Sequence, residues 1–346
     1  MPTHTWPALI DQLIAGSDLT AADTAWAMSQ VMAGEATAAQ IAGFAVALRA
    51  KGETPSEVIG MADAMLARAS RVEVTGPAVD IVGTGGDRSG SVNISTMTSL
   101  VVAAAGVPVV KHGNRAASSK TGTADVLEQL GIAIALPPEA VRSCVQELGI
   151  GFCFAPVFHP ALRHAAVPRK ELGIPTTFNL LGPLTNPAQP SAGLVGCAYA
   201  DKLEVLARVF ADRGASVLVV RGDDGLDELT TTTTSTAWRV SGGRATRESV
   251  DPAALAIARA SPADLKGGDA VFNAEVVRRL VGGQKGPVRD TVLLNAAGAL
   301  AAFAGFGESL NDDLAAGLAR AAEAIDSGKA ATLLADWAEL SAKLAG

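Results

Sequence analysis

The pattern of apolar and polar positions predicts that residues 1 to about 75 are entirely helical. Three threonines in this region each stand where a helix would begin, because a residue that can close a helix N-terminus follows at the right spacing. These signals are Thr20 with Asp23, Thr37 with Gln40, and Thr54 with Pro55 and Glu57. Gly34 and Gly52 are suited to end helices.

The pattern changes at residue 79, where short apolar runs begin to alternate with helical segments. The predicted strands are 79–82, 107–110, 132–136, 152–155, 216–221 and a threonine-rich run from 230 that continues to 240. The predicted helices are 95–105, 123–130, 138–148, 201–212 and an alanine-rich tail over 311–346. Such alternation is typical of a mainly parallel sheet flanked by helices. We therefore predict an α/β fold with a smaller all-helical domain.

The domain organisation follows from this change of pattern. We expect a small helical domain over residues 1–75, completed by part of 165–200, and a large α/β domain over 76–346 that carries the phosphate and metal motifs. Prolines and turn residues are frequent over 156–200, and Pro183, Pro187 and Pro190 bracket a stretch that we expect to connect the two lobes.

Composition and charge exclude several classes of protein. The formal net charge is −7, whereas nucleic-acid binding usually needs a basic surface, so we expect no nucleic-acid partner. No apolar run is long enough to span a bilayer, and the N-terminus lacks the pattern of a signal peptide. We expect a soluble, cytoplasmic protein in which Cys144, Cys153 and Cys197 are buried reduced thiols.

Two neighbouring segments could form an anion site. Gly83–Asp87 follows the first predicted strand, and glycines let backbone N–H groups approach an oxyanion. Asn93–Thr96 precedes a helix, whose N-terminus offers unpaired N–H groups. Each also has a purely structural interpretation, as a tight turn and as a helix cap. Their proximity in sequence suggests that both could face one diphosphate.

The segment 111–123 also links a predicted strand to a helix. It places three cations, several hydroxyl groups and two glycines within thirteen residues of an acidic protein. That density favours a highly anionic phosphorylated ligand, although an exposed polar loop is the alternative. His112 could act as a general base, but a histidine in such a loop more often hydrogen-bonds and shapes the site.

An acidic run, 223–228, follows the predicted strand that ends near Arg221. Adjacent carboxylates at the end of a strand are hard oxygen ligands that suit Mg²⁺ together with substrate phosphates. A solvated acidic turn is the default interpretation. The phosphate-like loops predicted at the same sheet edge favour metal binding, especially by Asp227 and Glu228.

Taken together, the motifs resemble those of the anthranilate phosphoribosyltransferases along nearly the whole chain. In order they are GTGGD, NIST, KHGNRAASSKTGTADVLE, RKELG, FNLLGPLTNP and DGLDEL. GTGGD is shared with the related pyrimidine nucleoside phosphorylases. The resemblance implies a homodimer with its active site in a cleft between the lobes. It also implies transfer of the 5-phosphoribosyl group from phosphoribosyl pyrophosphate to the amine of anthranilate, in tryptophan biosynthesis, with two Mg²⁺ ions.

The resemblance also assigns roles to individual residues. The implied phosphoribosyl pyrophosphate site consists of Gly83, Gly86, Asp87, Ser91, Asn93, Ile94, Ser95, Thr96, Lys111, His112, Gly113, Asn114, Arg115, Ala116, Ala117, Ser118, Ser119 and Thr123. The implied anthranilate contacts are Gly83, Asn114 and Arg169. Ser95 and Glu228 would hold one Mg²⁺, and Asp227 with Glu228 the second.

A few positions depart from the commonest family pattern. Ser91 stands where threonine is frequent and Thr123 where serine is, so both positions keep a hydroxyl group. On the anthranilate side, Pro168 stands where valine is usual and Pro175 where arginine is common. Two other functions fit the same fold less well: a pyrimidine nucleoside phosphorylase, and a non-catalytic relative that binds nucleic acid. The second would require a basic surface and eroded motifs.

Overall fold

The computed structural model of the chain describes residues 4–115 and 121–346. Its α-helices are α1 Trp6–Ile14, α2 Ala21–Ala33, α3 Ala38–Lys51, α4 Pro55–Leu66, α5 Ile94–Ala104, α6 Thr123–Gln129, α7 Pro138–Leu148, α8 Ala155–Phe158, α9 Ala166–Leu172, α10 Leu203–Asp212, α11 Ala270–Val281, α12 Pro287–Ala304, α13 Leu310–Asp326 and α14 Lys329–Leu344. Its strands are β1 Val79–Gly83, β2 Val109–Gly113, β3 Ile150–Phe154, β4 Ala192–Gly196, β5 Ser216–Gly222, β6 Ser235–Ser241 and β7 Arg244–Val250.

The seven strands form one mixed sheet in the order β3-β2-β1-β4-β5-β6-β7. The first five in this order are parallel, and the hairpin β6–β7 continues the sheet in the antiparallel sense. The predicted α/β class with a mainly parallel sheet and a helical domain is confirmed. Because parallel strands end at the same edge, the segments that follow Gly83, Gly113, Gly196 and Gly222 begin at one rim of the molecule.

The predicted threonine caps are confirmed in the N-terminal helices. Thr20, Thr37 and Thr54 each accept a hydrogen bond from the backbone N–H three residues later, and the side chain there accepts one from the threonine N–H. Gly34 and Gly52 close α2 and α3.

Alternation along the strands divides the core into two apolar clusters. Ile81, Leu194 and Leu218 face the cluster formed with α5 and α12–α14. Val82 and Val195 face the opposite cluster, which includes α10 and the buried side chains of α1–α4. Phe178 and Leu184 also belong to the second cluster, which accords with the idea that part of 165–200 completes the helical domain. The boundary at residue 75 stays a prediction.

Helix α12 is buried on nearly all sides between the sheet, α5 and α13. Gly298 lets it lie close to the sheet, since a Cβ there would be 3.1 Å from the Leu194 side chain and 3.3 Å from that of Leu229. A helix with apolar side chains on nearly all sides belongs in a core rather than at a surface.

One predicted strand is absent from the sheet, and another begins five residues later than predicted. Residues 132–136 lie outside the sheet, because the Ala133 N–H donates to the Ser341 hydroxyl of α14 instead of to a strand. Residues 230–234 form an irregular segment before β6, because their polar groups bond to nearby side chains. The Thr230 hydroxyl donates to Asp224, and the Thr230 N–H donates to the Ser235 hydroxyl. Such local bonds compete with strand pairing.

The proline-rich stretch 156–200 contains more regular structure than the pattern predicts. It holds α9 and, at 192–196, β4, which pairs with both β1 and β5 near the centre of the sheet. The alanine-rich tail is two helices, α13 and α14, separated at Gly328, whose φ is +79°. All three cysteines are free and buried, as predicted. Over the described ranges, no helix has the length and apolar character needed to cross a membrane.

Candidate active site

The turn after β1 closes against the acidic turn after β5. The Gly85 N–H donates to Asp227 Oδ2 at 2.8 Å, and the Thr84 N–H donates to the carbonyl of Gly196 at 3.0 Å. A Cβ on Gly83 would lie 2.3 Å from Asp227 Oδ2, and one on Gly196 would lie 1.5 Å from the Asp227 carbonyl oxygen. Glycine at both positions is therefore a condition for bringing Asp227 to this rim.

The N-terminus of α5 lies at the same rim. Asn93 is the N-cap residue, yet no side chain caps the helix, so the interpretation of Ser95 and Thr96 as mere caps is wrong. The Asn93 side chain instead accepts from Asn273 Nδ2 at 2.8 Å. The backbone N–H of Ser95 lies near the Glu228 carboxylate and opposes the rise of its pKa. The dipole and N–H groups of this helix end thus face the acidic turn, where an anion is stabilised.

Lys111, on β2, is buried at the centre of this arrangement, with 2% of its surface exposed. Its Nζ donates to the Ile81 carbonyl and, at 3.2 Å, to the Ser95 hydroxyl. Burial lowers the pKa of Lys111 to about 8, while the charges of Asp80, Glu228 and Asp227 oppose that shift. Lys111, Ser95 and the acidic turn are therefore brought together at one rim.

Asp227 and Glu228 form an electrostatically strained pair. Burial, reinforced by the charge of Asp87, raises the pKa of Asp227 to about 7. Burial and then the charges of Asp227 and Asp87 raise the pKa of Glu228 well above its ordinary range. Like charges held together out of water favour the protonated form, so a bound divalent cation would relieve the strain.

This donor set fits Mg²⁺ only in company with a ligand. Within residues 4–115 and 121–346, no three His, Cys, Asp or Glu side chains are grouped to hold a metal ion alone. Mg²⁺ commonly keeps few protein carboxylates and completes its octahedron with substrate phosphates and water. The buried carboxylate of Asp227 and the half-buried one of Glu228, beside a hydroxyl and a helix N-terminus, match that requirement.

The surroundings of His112 argue against a role in acid–base chemistry. Its Nδ1 lies 3.0 Å from the Gly182 carbonyl and so carries the ring proton, which leaves Nε2 as a buried acceptor without a partner among the described residues. Burial and the neighbouring His159 ring, 5.3 Å away between centroids, lower the pKa of His112 to about 3. Such a weak base is poorly suited to take a proton near neutral pH, which favours a shaping role.

The first two residues after β2 lie at the surface. Asn114 and Arg115 are exposed, and the Arg115 guanidinium pairs with Asp125 at 2.7 Å and Glu128 at 2.6 Å, both on α6. The structure does not bring Arg115 to Lys111. Exposed pairs of this type contribute only about 0–1 kcal/mol, so an anionic ligand could compete for the guanidinium. The predicted contacts of Ala116, Ala117, Ser118 and Ser119 lie outside the described residues.

The remaining predicted phosphate residues surround the same rim. The Thr96 hydroxyl donates to that of Thr123 at 3.2 Å, which joins α5 to α6. The Ser89 N–H donates to Asp87, and the Ser89 hydroxyl to that of Ser91 at 3.1 Å, which closes the loop after Gly86.

Arg169 approaches from α9. Its guanidinium lies over the Phe178 ring, 5.4 Å from the centroid, and is partly buried, which lowers its pKa. An arginine in this position can bind a carboxylate through two parallel N–H bonds.

Sequence patterns offered no sign of Tyr199, the chain's only tyrosine. Its hydroxyl is buried without a partner among the described residues, and a Cβ on Gly86 would lie 2.6 Å from it. It also interacts electrostatically with Arg169. A single tyrosine after a strand carries no pattern, so only the structure reveals it.

The sequence patterns also gave no sign of the contact between Asp80 and Asn186, which gives the FNLLGPLTNP motif a structural role. Asn186 Nδ2 donates to Asp80 at 2.8 Å and to the Val110 carbonyl at 2.7 Å, while the His112 N–H donates to Asp80 at 3.1 Å. The motif therefore fastens the stretch between the lobes to β1 and β2, beneath the site.

Comparison with known proteins agrees with this arrangement. Residues 75–331 match the glycosyl transferase family, a/b domain, and residues 7–69 match the glycosyl transferase family, helical bundle domain. An anthranilate phosphoribosyltransferase of Saccharopolyspora erythraea is 69% identical over 98% of this chain and 97% of that protein. One from Rhodococcus jostii is 62% identical, over 99% of this chain and 95% of its own length.

The chain belongs to the anthranilate phosphoribosyltransferase family.

Solved structures of the family have the same fold. The crystal structure of anthranilate phosphoribosyltransferase from Thermus thermophilus superposes with a TM-score of 0.89 at 42% identity, over 96% of this chain and 99% of that one. A Saccharomyces cerevisiae anthranilate phosphoribosyltransferase in complex with PRPP and Mg superposes at 0.88, with 23% identity and 98% of each chain covered. At that identity the likeness speaks for the fold alone.

Proposed function

We propose that this protein transfers the 5-phosphoribosyl group from phosphoribosyl pyrophosphate to the amine of anthranilate, releasing pyrophosphate and N-(5-phosphoribosyl)anthranilate in tryptophan biosynthesis. The observation that carries the proposal is the meeting of Lys111, Ser95, Asp227 and Glu228 at one rim, in a member of this family. An acidic pair beside a lysine and a helix N-terminus suits a diphosphate bridged by divalent ions.

In the proposed reaction the amine attacks C1 of the ribose with inversion as the bond from C1 to the pyrophosphate oxygen breaks, and the nitrogen then releases one proton to water. Asp227, Glu228 and Ser95 would hold Mg²⁺, two ions in our proposal, which supplies charge neutralisation for the leaving pyrophosphate. Lys111 donates to the oxygens on which negative charge grows. The glycine-rich turn and the α5 N-terminus hold the donor in place, so that no protein nucleophile is needed.

The most informative assay of the proposed function follows the loss of anthranilate fluorescence when the purified protein meets phosphoribosyl pyrophosphate and Mg²⁺. We expect the fluorescence to fall with release of one pyrophosphate per anthranilate, and to stay constant when either addition is left out. Phosphorolysis of thymidine with unchanged anthranilate fluorescence would instead favour the nucleoside phosphorylase. Retardation of nucleic acid at moderate salt, without turnover, would favour the non-catalytic alternative.

Arg169→Ala should mainly raise the KM for anthranilate, by about 10-fold or more, because a charged hydrogen bond to the acceptor carboxylate is lost. The KM for phosphoribosyl pyrophosphate should change little. Arg163→Ala, which removes an exposed arginine from the neighbouring 3-10 helix Pro160–Ala165, is the matched control. An effect of Arg169→Ala confined to phosphoribosyl pyrophosphate would contradict the assignment.

We also propose that the protein is a homodimer joined through the helical domain. Helix α1 contacts α3, and α3 contacts α9. Three exposed apolar side chains lie on or next to these helices: Ile14 at 73%, Val46 at 40% and Val167 at 60%. Exposed apolar side chains on neighbouring helices are typical of surfaces that associate.

Val46→Glu should therefore convert the dimer to a monomer in sedimentation equilibrium, since a charge buried at an interface is unfavourable. Val271→Glu, at an exposed valine on α11 of the α/β domain, should leave the mass unchanged. A monomeric wild-type protein at micromolar concentration would refute the dimer.

A further inference from the structure

Helix α12 supports the acidic turn through one side chain, that of Asn295. The residue is fully buried, and its amide bonds to two other residues. Its Oδ1 accepts from the Leu229 N–H at 3.0 Å, and its Nδ2 donates to the Leu229 carbonyl at 2.8 Å and to the Thr291 carbonyl at 2.9 Å. The amide therefore pairs with both backbone polar groups of one residue, as a neighbouring strand would.

Leu229 directly follows the two carboxylates, so this pairing fixes one end of the acidic turn. The other end is fixed by the Gly222 N–H, which donates to the Leu226 carbonyl at 2.8 Å. Asp227 and Glu228 lie between these two points. Because the backbone is held on both sides, the positions of the two carboxylates depend on the grip of Asn295.

Asn295 also shares space with the groups assigned to the metal. Asn295, Ser95 and Glu228 line the same small cavity beneath the rim, with a volume of about 10 Å³. The cavity is close to the size of one water molecule. With Asn295 in place, Glu228 therefore has little room to shift. Loss of the Asn295 amide would enlarge the cavity and let Glu228 move into it.

We propose that Asn295 is a positioning residue that holds Asp227 and Glu228 in the geometry needed to bind Mg²⁺ with phosphoribosyl pyrophosphate. This inference rests on the proposed function. Residues that orient metal ligands from behind typically contribute about 10- to 100-fold to metal affinity. Asn295 itself touches neither substrate nor metal in this account.

Asn295→Ser is the most selective test. A serine can still bond to the carbonyl four residues earlier, that of Thr291, but it is too short to hold Leu229. Thr291→Val is the matched control, because the Thr291 hydroxyl belongs to the same buried network and bonds to Thr231 at 2.7 Å, but makes no contact with Leu229 that the structure shows. Both changes should lower the melting temperature.

The measurement is the dissociation constant of phosphoribosyl pyrophosphate by calorimetry, without Mg²⁺ and at a series of Mg²⁺ concentrations. Mg²⁺ should increase the affinity for phosphoribosyl pyrophosphate. In Asn295→Ser, we expect the Mg²⁺ concentration that gives half of this increase to be about 10-fold higher than in the wild type. The affinity without Mg²⁺ should stay unchanged. Thr291→Val should respond to Mg²⁺ as the wild type does. If Asn295→Ser does not fold, Asn295→Asp replaces it, because aspartate keeps the side-chain volume but loses the donated amide bonds. The same rise in the required Mg²⁺ concentration is then expected for Asn295→Asp.

The outcomes separate the two proposals. A wild-type response to Mg²⁺ in Asn295→Ser, together with a lower melting temperature, would assign the residue a role in stability alone and overturn the inference. The proposed function would survive that result. Binding of phosphoribosyl pyrophosphate that ignores Mg²⁺ in the wild-type protein would overturn both.

Discussion

Replacement of both carboxylates of the acidic turn, by Asp227→Asn with Glu228→Gln, should abolish Mg²⁺-dependent turnover. We expect kcat to fall by at least about 10³-fold, because the charge on the leaving pyrophosphate would lose its neutralising ions. Turnover is measured by anthranilate fluorescence over a range of Mg²⁺ concentrations. Asp223→Asn, an exposed carboxylate four residues earlier in the same turn, should retain activity within about twofold, since exposed groups rarely contribute more. A wild-type rate in the double variant would refute the metal assignment.

The same double variant should be more stable than the wild type at neutral and higher pH. The pKa of both carboxyl groups is raised in the folded protein, so the unfolded chain releases these protons first. The wild-type protein therefore loses stability as the pH rises from about 4 through about 7, where Asp227 ionises in the folded state. Below about pH 4, where the unfolded chain also binds these protons, the difference should disappear. Chemical denaturation in the absence of Mg²⁺ measures it. Loss of activity with a gain in stability would distinguish a functional pair from a structural one.

Lys111→Met should lower kcat/KM for phosphoribosyl pyrophosphate by about 10²- to 10³-fold, because it removes a buried cation from the place where leaving-group charge develops. Steady-state kinetics at saturating anthranilate provide the measurement. Lys285→Met, at an exposed lysine just before α12 that pairs with Asp326, is the control and should be silent. An unchanged kcat/KM in Lys111→Met would remove Lys111 from the site.

Lys111 should also set the alkaline limit of the wild-type enzyme. Its pKa is lowered to about 8 by burial, so the free enzyme loses this cation as the pH rises through that value. The profile of kcat/KM reports groups of the free enzyme and should therefore decline above about pH 8. Lys111→Met should keep only a low residual activity, and its kcat/KM should not decline above about pH 8.

The sequence predicted the residues at the rim of the site better than the buried residues that hold them in place. Glycines, a helix start and two adjacent carboxylates are local patterns, and Gly83–Asp87, Asn93–Thr96 and Asp227–Glu228 do meet. Asn295 bonds to Leu229 and to its own helix, 66 residues and four residues away. A polar residue inside an apolar helix has no pattern of its own, so its partner follows only from the packing of α12 on the sheet.

Strand prediction failed where local composition and tertiary packing disagree. β4 contains Gly193 and Gly196, which weaken a strand, yet Gly196 is required for the close approach of Asp227. The alternating buried side chains of Ile132, Ile134 and Leu136 resemble a strand, yet they belong to the apolar cluster that includes α14, and the Ala133 N–H bonds to Ser341 of that helix. In both cases burial against distant elements outweighs the local preference.

The most direct test of the central claim is anomalous diffraction from crystals of the protein with phosphoribosyl pyrophosphate and Mn²⁺ in place of Mg²⁺. We predict anomalous peaks within bonding distance of the Glu228 carboxylate, with the pyrophosphate between Lys111 and the turn Gly83–Asp87. Peaks confined to other carboxylates, or a donor bound away from Lys111, would contradict the account.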